Sequence, residues 1–237
     1  MYHRVVERED RRDGDRFVTS VRRLRRHLTW LSRLAYSAVP LTALLGQPAG
    51  PGRRHLAVTF DDGYADTLEL ALPVLEAHAT ACTVFIVTDC IGGHSRWLEA
   101  PHRLLSREQI LLLHQAGVAI GSHARTHRRL TQLPDAELWS EVADSKACLE
   151  DLLGARVDAF SYPHNDADPR VMEAARKAGY RLAVGGNKLP HQAHHLHRID
   201  SAQLNHLQLL VQVSGVHRWA RRQPLPKPLR AAARRLL

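Results

Sequence analysis

The sequence predicts an α/β fold in which βα units surround a parallel sheet, and two observations predict it. Short apolar runs recur at residues 56–60, 82–87, 118–121, 157–162 and 181–184, and most are continuously apolar rather than alternating. That is the pattern of strands buried on both faces of a parallel sheet. Between the runs lie helical patterns with recognisable start and stop residues, and strands alternating with helices at this spacing imply βα units.

Each element has its own reason. Thr19 or Ser20 can cap a first helix running to about Leu34, with Val21, Leu24, Leu28 and Leu31 on one face and Arg22, Arg23, Arg25 and Arg26 elsewhere. Residues 47–52, QPAGPG, form a loop by composition. Pro73 lies inside a helical pattern that starts after Asp66, so it is expected to break or kink that helix. Ser106 caps 107–115, and Gly117 stops it. Pro134 opens 135–153, where Leu138, Val142, Ser145, Leu149 and Leu152 share a face before Gly154. Pro169 opens 170–178, which Gly179 ends. One domain over residues 1–205, followed by a basic C-terminal extension over 206–237, is the expected organisation.

The chain has 237 residues, enough for a sizeable core. Its 33 Lys and Arg against 24 Asp and Glu give a net charge of +9, concentrated in arginine clusters at the two ends. Such an excess points to acidic partners: nucleic acid, anionic lipid or a phosphorylated ligand. Nucleic acid is not expected, because the chain has no helix-turn-helix pattern, RNP-like motif or zinc-finger spacing. An aromatic content of 5% also disfavours base stacking. Cys82, Cys90 and Cys148 show no C-x-x-C spacing and imply no disulfide framework. The first fifteen residues lack the apolar segment of a secretory signal, and the mostly apolar stretch 34–46 is too short to span a bilayer. A cytoplasmic location is therefore expected.

Three segments carry the chemistry, and each follows a predicted strand: TFDDGYADT at 59–67, GSHARTH at 121–127 and FSYPHND at 160–166. In a parallel βα sheet or barrel all three would project from the C-terminal edge, where active sites of such folds are found. Catalytic zinc takes three protein ligands and leaves a position open for water. His123 and His127, four apart, can face one ion if the segment turns helically after Ser122. One carboxylate of the Asp61–Asp62 pair would complete the set, and the other would be free to accept a proton. A nearby cation would also offset the repulsion between the two aspartates.

These segments resemble the motifs of the polysaccharide deacetylases, the nodulation-protein-B-like domain of carbohydrate esterase family 4. The resemblance extends to MYHRV at the start, ALPVLEAHATACTVFIV, SREQILLLHQAGVAIGSH, ELWSEVADSKACLEDLLG and AARKAGYRLAV, and covers roughly residues 1–200. It implies a deformed (β/α) barrel, beginning on a short first strand, that hydrolyses the N-acetyl group of an amino sugar in a saccharide or lipid-linked glycan. It also implies a divalent metal, most often zinc. By resemblance Asp61 is the catalytic base, and Asp62, His123 and His127 are the metal ligands. The backbone N–H of His164 helps hold the oxyanion, and Tyr162 and Pro163 contact substrate. Where Ser161 stands the family often has an arginine that orients the base. A subgroup with a small residue there carries an arginine later in the chain, which matches Arg198 in RID. His164-Asn165 replaces the usual Tyr-Gly, and Asn tolerates positive φ better than most residues.

The family's Leu-x-His motif, which supplies a general acid, fits the letters at both His191 and His206, with His194, His195 and His197 between them. The choice stays open. The alternative to an active enzyme is a carbohydrate-binding relative that keeps the fold without turnover. Finally, residues 216–237 mix Arg and Lys with Trp219 and several leucines, and Pro228 can open a short helix there. Such a segment suits an anionic headgroup surface, so peripheral contact with the inner face of a membrane is expected.

Overall fold

The computed structural model describes residues 1–8, 17–45, 54–186 and 189–214. Strands β1 (Arg4–Val6) and β2 (Val18–Ser20) lead into helix α1 (Val21–Arg33), whose first turn is capped by the Ser20 side chain accepting from the Arg23 amide. Leu24, Leu28 and Leu31 are buried along one face of α1, as the periodicity requires. Next come β3 (Tyr36–Ala38), β4 (Arg54–Leu56) and β5 (Val58–Phe60). Widened turns at Thr67–Ala71 precede α2 (Leu72–Ala77), with Pro73 in its first turn, where its missing N–H costs nothing. The rest alternates: β6 (Cys82–Ile86), α3 (Arg107–Gln115), β7 (Ala119–Ser122), α4 (Asp135–Leu153), β8 (Ala159–Ser161), α5 (Pro169–Lys177), β9 (Leu182–Gly185), β10 (Leu196–His197) and α6 (His206–Val213).

Six strands form one sheet in the order β10-β9-β8-β7-β6-β5, and every pair is parallel. Each strand lies beside its predecessor in sequence, which is barrel order rather than the reversing order of a doubly wound sheet. The two edges are tied together. The Tyr2 amide donates to Thr59 O at 2.8 Å and the Asp61 amide to Tyr2 O at 3.0 Å. On the other side the Met1 amino group donates to Ile199 O at 2.8 Å, and the Ser201 amide to Met1 O at 3.0 Å. Residues 1 and 2 thus join β5 to the segment after β10, and the curled sheet becomes a deformed (β/α) barrel.

The core confirms burial on both faces: all five residues of β6 are buried, as are all of β5, β8 and β9. Gly121 is needed for this packing, because a Cβ there would lie 2.5 Å from the Phe85 ring. One expectation changes. The run at 56–60 is not one strand. Leu56 ends β4, which pairs with β3, and Val58–Phe60 pairs with β6, with Ala57 between them. Helix α6, at the start of the expected C-terminal extension, packs on α1, with the His206 ring stacked on Trp30 at 5.4 Å and Leu209 buried. An apolar face drew it onto the body. The remainder of that extension, with Pro228, lies outside the described residues, as does the expected loop at 47–52. Among the described residues no helix is long and apolar enough to cross a membrane.

Candidate active site

The ends of β5, β7 and β8 converge at the C-terminal edge of the sheet. Directly after Phe60 come Asp61 and Asp62, both buried. Asp62 and Gly63 have φ of 74° and 73°, a left-handed turn that Gly adopts freely and Asp tolerates. This turn separates the adjacent carboxylates. Asp62 faces the histidines and Asp61 faces a guanidinium.

His123 follows the last residue of β7, and its amide donates to Ile86 O at 2.8 Å. Its Nδ1 donates to Ser161 O at 2.7 Å, which leaves Nε2 directed at Asp62 Oδ1, 3.2 Å away. His127 Nε2 lies 3.2 Å from the same oxygen. The segment between them is not the expected helical turn. Ala124 and His127 have φ of 62° and 63°, and the loop wraps around the buried Glu141 carboxylate. That carboxylate accepts the Arg125 amide at 2.8 Å, the Thr126 amide at 2.9 Å and the Thr126 hydroxyl. Glu141 replaces the hydrogen bonds a helix would have supplied.

The donor atoms of Asp62, His123 and His127 all lie within 4.8 Å of one another. Asp62 Oδ1 is buried without a hydrogen-bond partner, and His127 Nδ1 likewise. A buried carboxylate oxygen facing two imidazole nitrogens, one oriented by a backbone carbonyl, is a donor set that calls for a cation. A carboxylate with two histidines also matches the ligand chemistry of a catalytic zinc, which leaves a position open. The residues fit a divalent metal.

Arg198 grips Asp61 with two parallel bonds, Nη1 to Oδ1 at 2.6 Å and Nη2 to Oδ2 at 2.7 Å. Its Nη2 also donates to Ser161 Oγ at 3.0 Å and Asn165 Oδ1 at 2.9 Å, and Ser161 Oγ donates to Asp61 Oδ2 at 3.2 Å. The small side chain on β8 leaves the room that this guanidinium, arriving just after β10, takes up. Burial pushes the Asp61 carboxyl up, but Arg198 and His123 outweigh it and hold it at about 2. Burial likewise opposes ionisation of Asp62, yet the adjoining His123 and His127 rings hold its carboxyl well below the usual range. The two histidines diverge. Burial lowers both, but Asp62 and Asp61 together raise His123, while His127, which also faces His123, stays lowered.

The third segment forms a tight turn at Pro163–Asn165, in which His164 and Asn165 have φ of 59° and 53°. The His164 ring packs edge-on against His127, and its Nε2 lies 3.1 Å from His127 O. Tyr162 is fully buried, and its hydroxyl donates to His194 O at 2.8 Å. Pro163 is buried as well. Both support the turn from below.

Three further residues belong to the site. Trp97 stacks on His127 at 4.1 Å and donates from Nε1 to Asp62 Oδ2 at 3.2 Å. Glu141 braces the loop, as described. His3, just before β1, is buried against Phe17 with Nδ1 unpartnered. None shows a spacing that marks it in sequence, although His3 lies within MYHRV. Three of the late histidines are engaged elsewhere. His194 Nε2 meets Tyr180 O, His197 Nε2 meets Leu189 O, and His206 lies on Trp30.

Residues 49–183 match the family model described as polysaccharide deacetylase. YxkH of Bacillus subtilis, which carries that family's name, is 28% identical over 187 residues, 78% of this chain and 62% of that protein. Chitin deacetylase 3 of Cryptococcus neoformans is 26% identical over 129 residues, 53% of this chain and 28% of its own length. The chain therefore spans only part of the curated relatives it matches. Among solved structures, the Streptococcus pyogenes deacetylase PplD in complex with acetate superposes with a TM-score of 0.73 at 20% identity, over 88% of this chain and 94% of the other. IcaB from Ammonifex degensii gives 0.70 at 24% identity, over 84% and 88%. These likenesses show the fold.

Proposed function

Since this chain belongs to the polysaccharide deacetylase family, we propose that it is a metal-dependent hydrolase that removes the N-acetyl group from an amino sugar. One observation carries the reading: a buried carboxylate gripped by Arg198 stands beside a separate Asp62–His123–His127 donor set. One aspartate is thereby free for proton transfer while its neighbour is engaged as a ligand.

Asp62 Oδ1 and the Nε2 atoms of His123 and His127 would hold the ion. A divalent metal bound there supplies Lewis acidity, polarising the amide carbonyl and lowering the pKa of a coordinated water toward about 7. Asp61, kept ionised, accepts the proton as water attacks the carbonyl carbon. Arg198 holds the Asp61 carboxylate in one orientation and Asn165 and Ser161 brace Arg198. The backbone N–H of His164, on its left-handed turn, donates to the oxyanion. Trp97 walls the site beside His127 and limits water. Neither the chain length of the saccharide nor its attachment to lipid enters this reading. A location at the inner membrane face rests only on the basic extension.

The test is acetate release from a panel of N-acetylated mono- and oligosaccharides and lipid-linked glycans, using zinc-loaded protein. Release dependent on the metal supports the reading. Saccharide binding with no acetate released would favour the carbohydrate-binding alternative.

A further inference from the structure

A second concavity, apart from the carboxylate–histidine centre, has a volume of about 350 Å³ and lies where α1 and α6 begin. Arg8, Arg22, Arg23 and Arg26 line it together with His206, and among the described residues Glu7 is the one carboxylate in its wall. Several arginines elsewhere are matched, Arg125 to Asp89, Arg128 to Glu137, Arg170 to Asp135 and Arg176 to Glu173. Arg8, Arg22 and Arg26 form no ion pair among the described residues. Arg23 is anchored, its Nη1 donating to Ala202 O at 2.7 Å, so one guanidinium is held in place in the wall. His206 Nδ1 is buried without a partner while its ring is pinned on Trp30.

From this we infer that the concavity binds a phosphate group. Among the described residues, the three guanidiniums of Arg8, Arg22 and Arg26, beside the anchored Arg23, face one carboxylate, more than a ligand carboxylate would neutralise. A phosphate carries up to two charges and three oxygens suited to arginine forks. The caps Ser20 and Asn205 already occupy the third amides of α1 and α6, so the site rests on side chains, with the two helix dipoles adding positive potential. Burial and the adjoining Arg23 push His27, also in the wall, down to about 4, so it stays neutral beside the arginines. The volume exceeds a bare phosphate and leaves room for the group that carries it, a sugar phosphate or a lipid headgroup. A concavity of this size suits one such group rather than a nucleic-acid strand.

The experiment reads binding without turnover, so it is independent of the deacetylase reading. Full-length protein is titrated calorimetrically with inorganic phosphate, with chloride at matched ionic strength as control. The same is done for Arg22→Gln/Arg26→Gln, exposed helix positions where Gln is well tolerated, and folding is checked by thermal melting. We expect one-site binding in the wild type, weakened roughly tenfold or more in the variant, as loss of two charge-assisted contacts implies. Flotation with phosphatidylglycerol vesicles, against phosphatidylcholine, separates the sources. Vesicle binding lost with phosphate binding identifies a lipid phosphate, and unchanged vesicle binding identifies a soluble phosphorylated ligand. No phosphate binding, or equal affinity in both proteins, overturns the proposal. So does single-stranded oligonucleotide binding that the variant abolishes in the absence of any phosphate binding.

Discussion

Asp61 and Asp62 are neighbours in the chain, yet one left-handed residue sends their side chains to different partners, and the chemistry follows from that division. The pair, His123 and His127 were legible because their residue types are rare at strand ends and all three segments share one edge. Arg198 was legible only through the compensating small residue at Ser161, and the paired bonds to Asp61 give that compensation its physical form. Without Arg198, burial would act on Asp61 opposed mainly by His123. Arg198→Ala should therefore cut turnover, leave metal content unchanged and move the acidic limb of the pH–rate profile upward. The sign follows from the direction of the shift: Asp61 is held at about 2, so its base form exists above that value, and losing the cation raises the threshold. Arg198→Lys should restore only part of the rate, since an ammonium cannot form both bonds. An unmoved acidic limb would remove Arg198 from this role. His3 was not legible, being one histidine among 16 in a chain with no spacing to mark it.

The alternation of strands and helices was readable because each strand is apolar on both faces and each helix has a cap or a stop. What could not be read was local departure from periodicity. The split at Ala57 breaks no pattern in the letters, since both halves are apolar and only their pairing partners differ. The loop from His123 to His127 has the spacing of a helical turn, but its hydrogen bonds go to Glu141 on α4, a residue fifteen or sixteen positions away. Sequence spacing carries no information about such a partner. Glu141 touches neither histidine directly and fixes the loop that aims them. Glu141→Gln should weaken zinc affinity by roughly 10–100-fold, the range for outer support of metal ligands, as measured by competition with a chromogenic chelator. Unchanged affinity in a folded variant would reduce Glu141 to a stabiliser of the loop alone.

Across the molecule, the barrel depends on a contact of very long sequence separation, residues 1 and 2 joining β5 to the chain around 199–201. The short first strand was visible, but its closing role needs both edges in view. The charge asymmetry, read as two basic ends, resolves in the structure into one basic concavity near α1, while the tail beyond residue 214 lies outside the described residues. If that tail contacts anionic lipid, deleting residues 217–237 should reduce flotation with phosphatidylglycerol vesicles while activity on a small soluble substrate is retained. Equal flotation of both proteins would assign any membrane contact elsewhere. The account as a whole stands on the division of labour between the two aspartates. The direct measurement is zinc stoichiometry and acetate release, side by side, in Asp61→Asn and Asp62→Asn. The account predicts that Asp61→Asn keeps its zinc and loses roughly 10²–10⁴-fold in rate, the contribution of a general base, whereas Asp62→Asn loses zinc and activity together. Equal zinc loss in both variants, or full activity in Asp61→Asn, would contradict it.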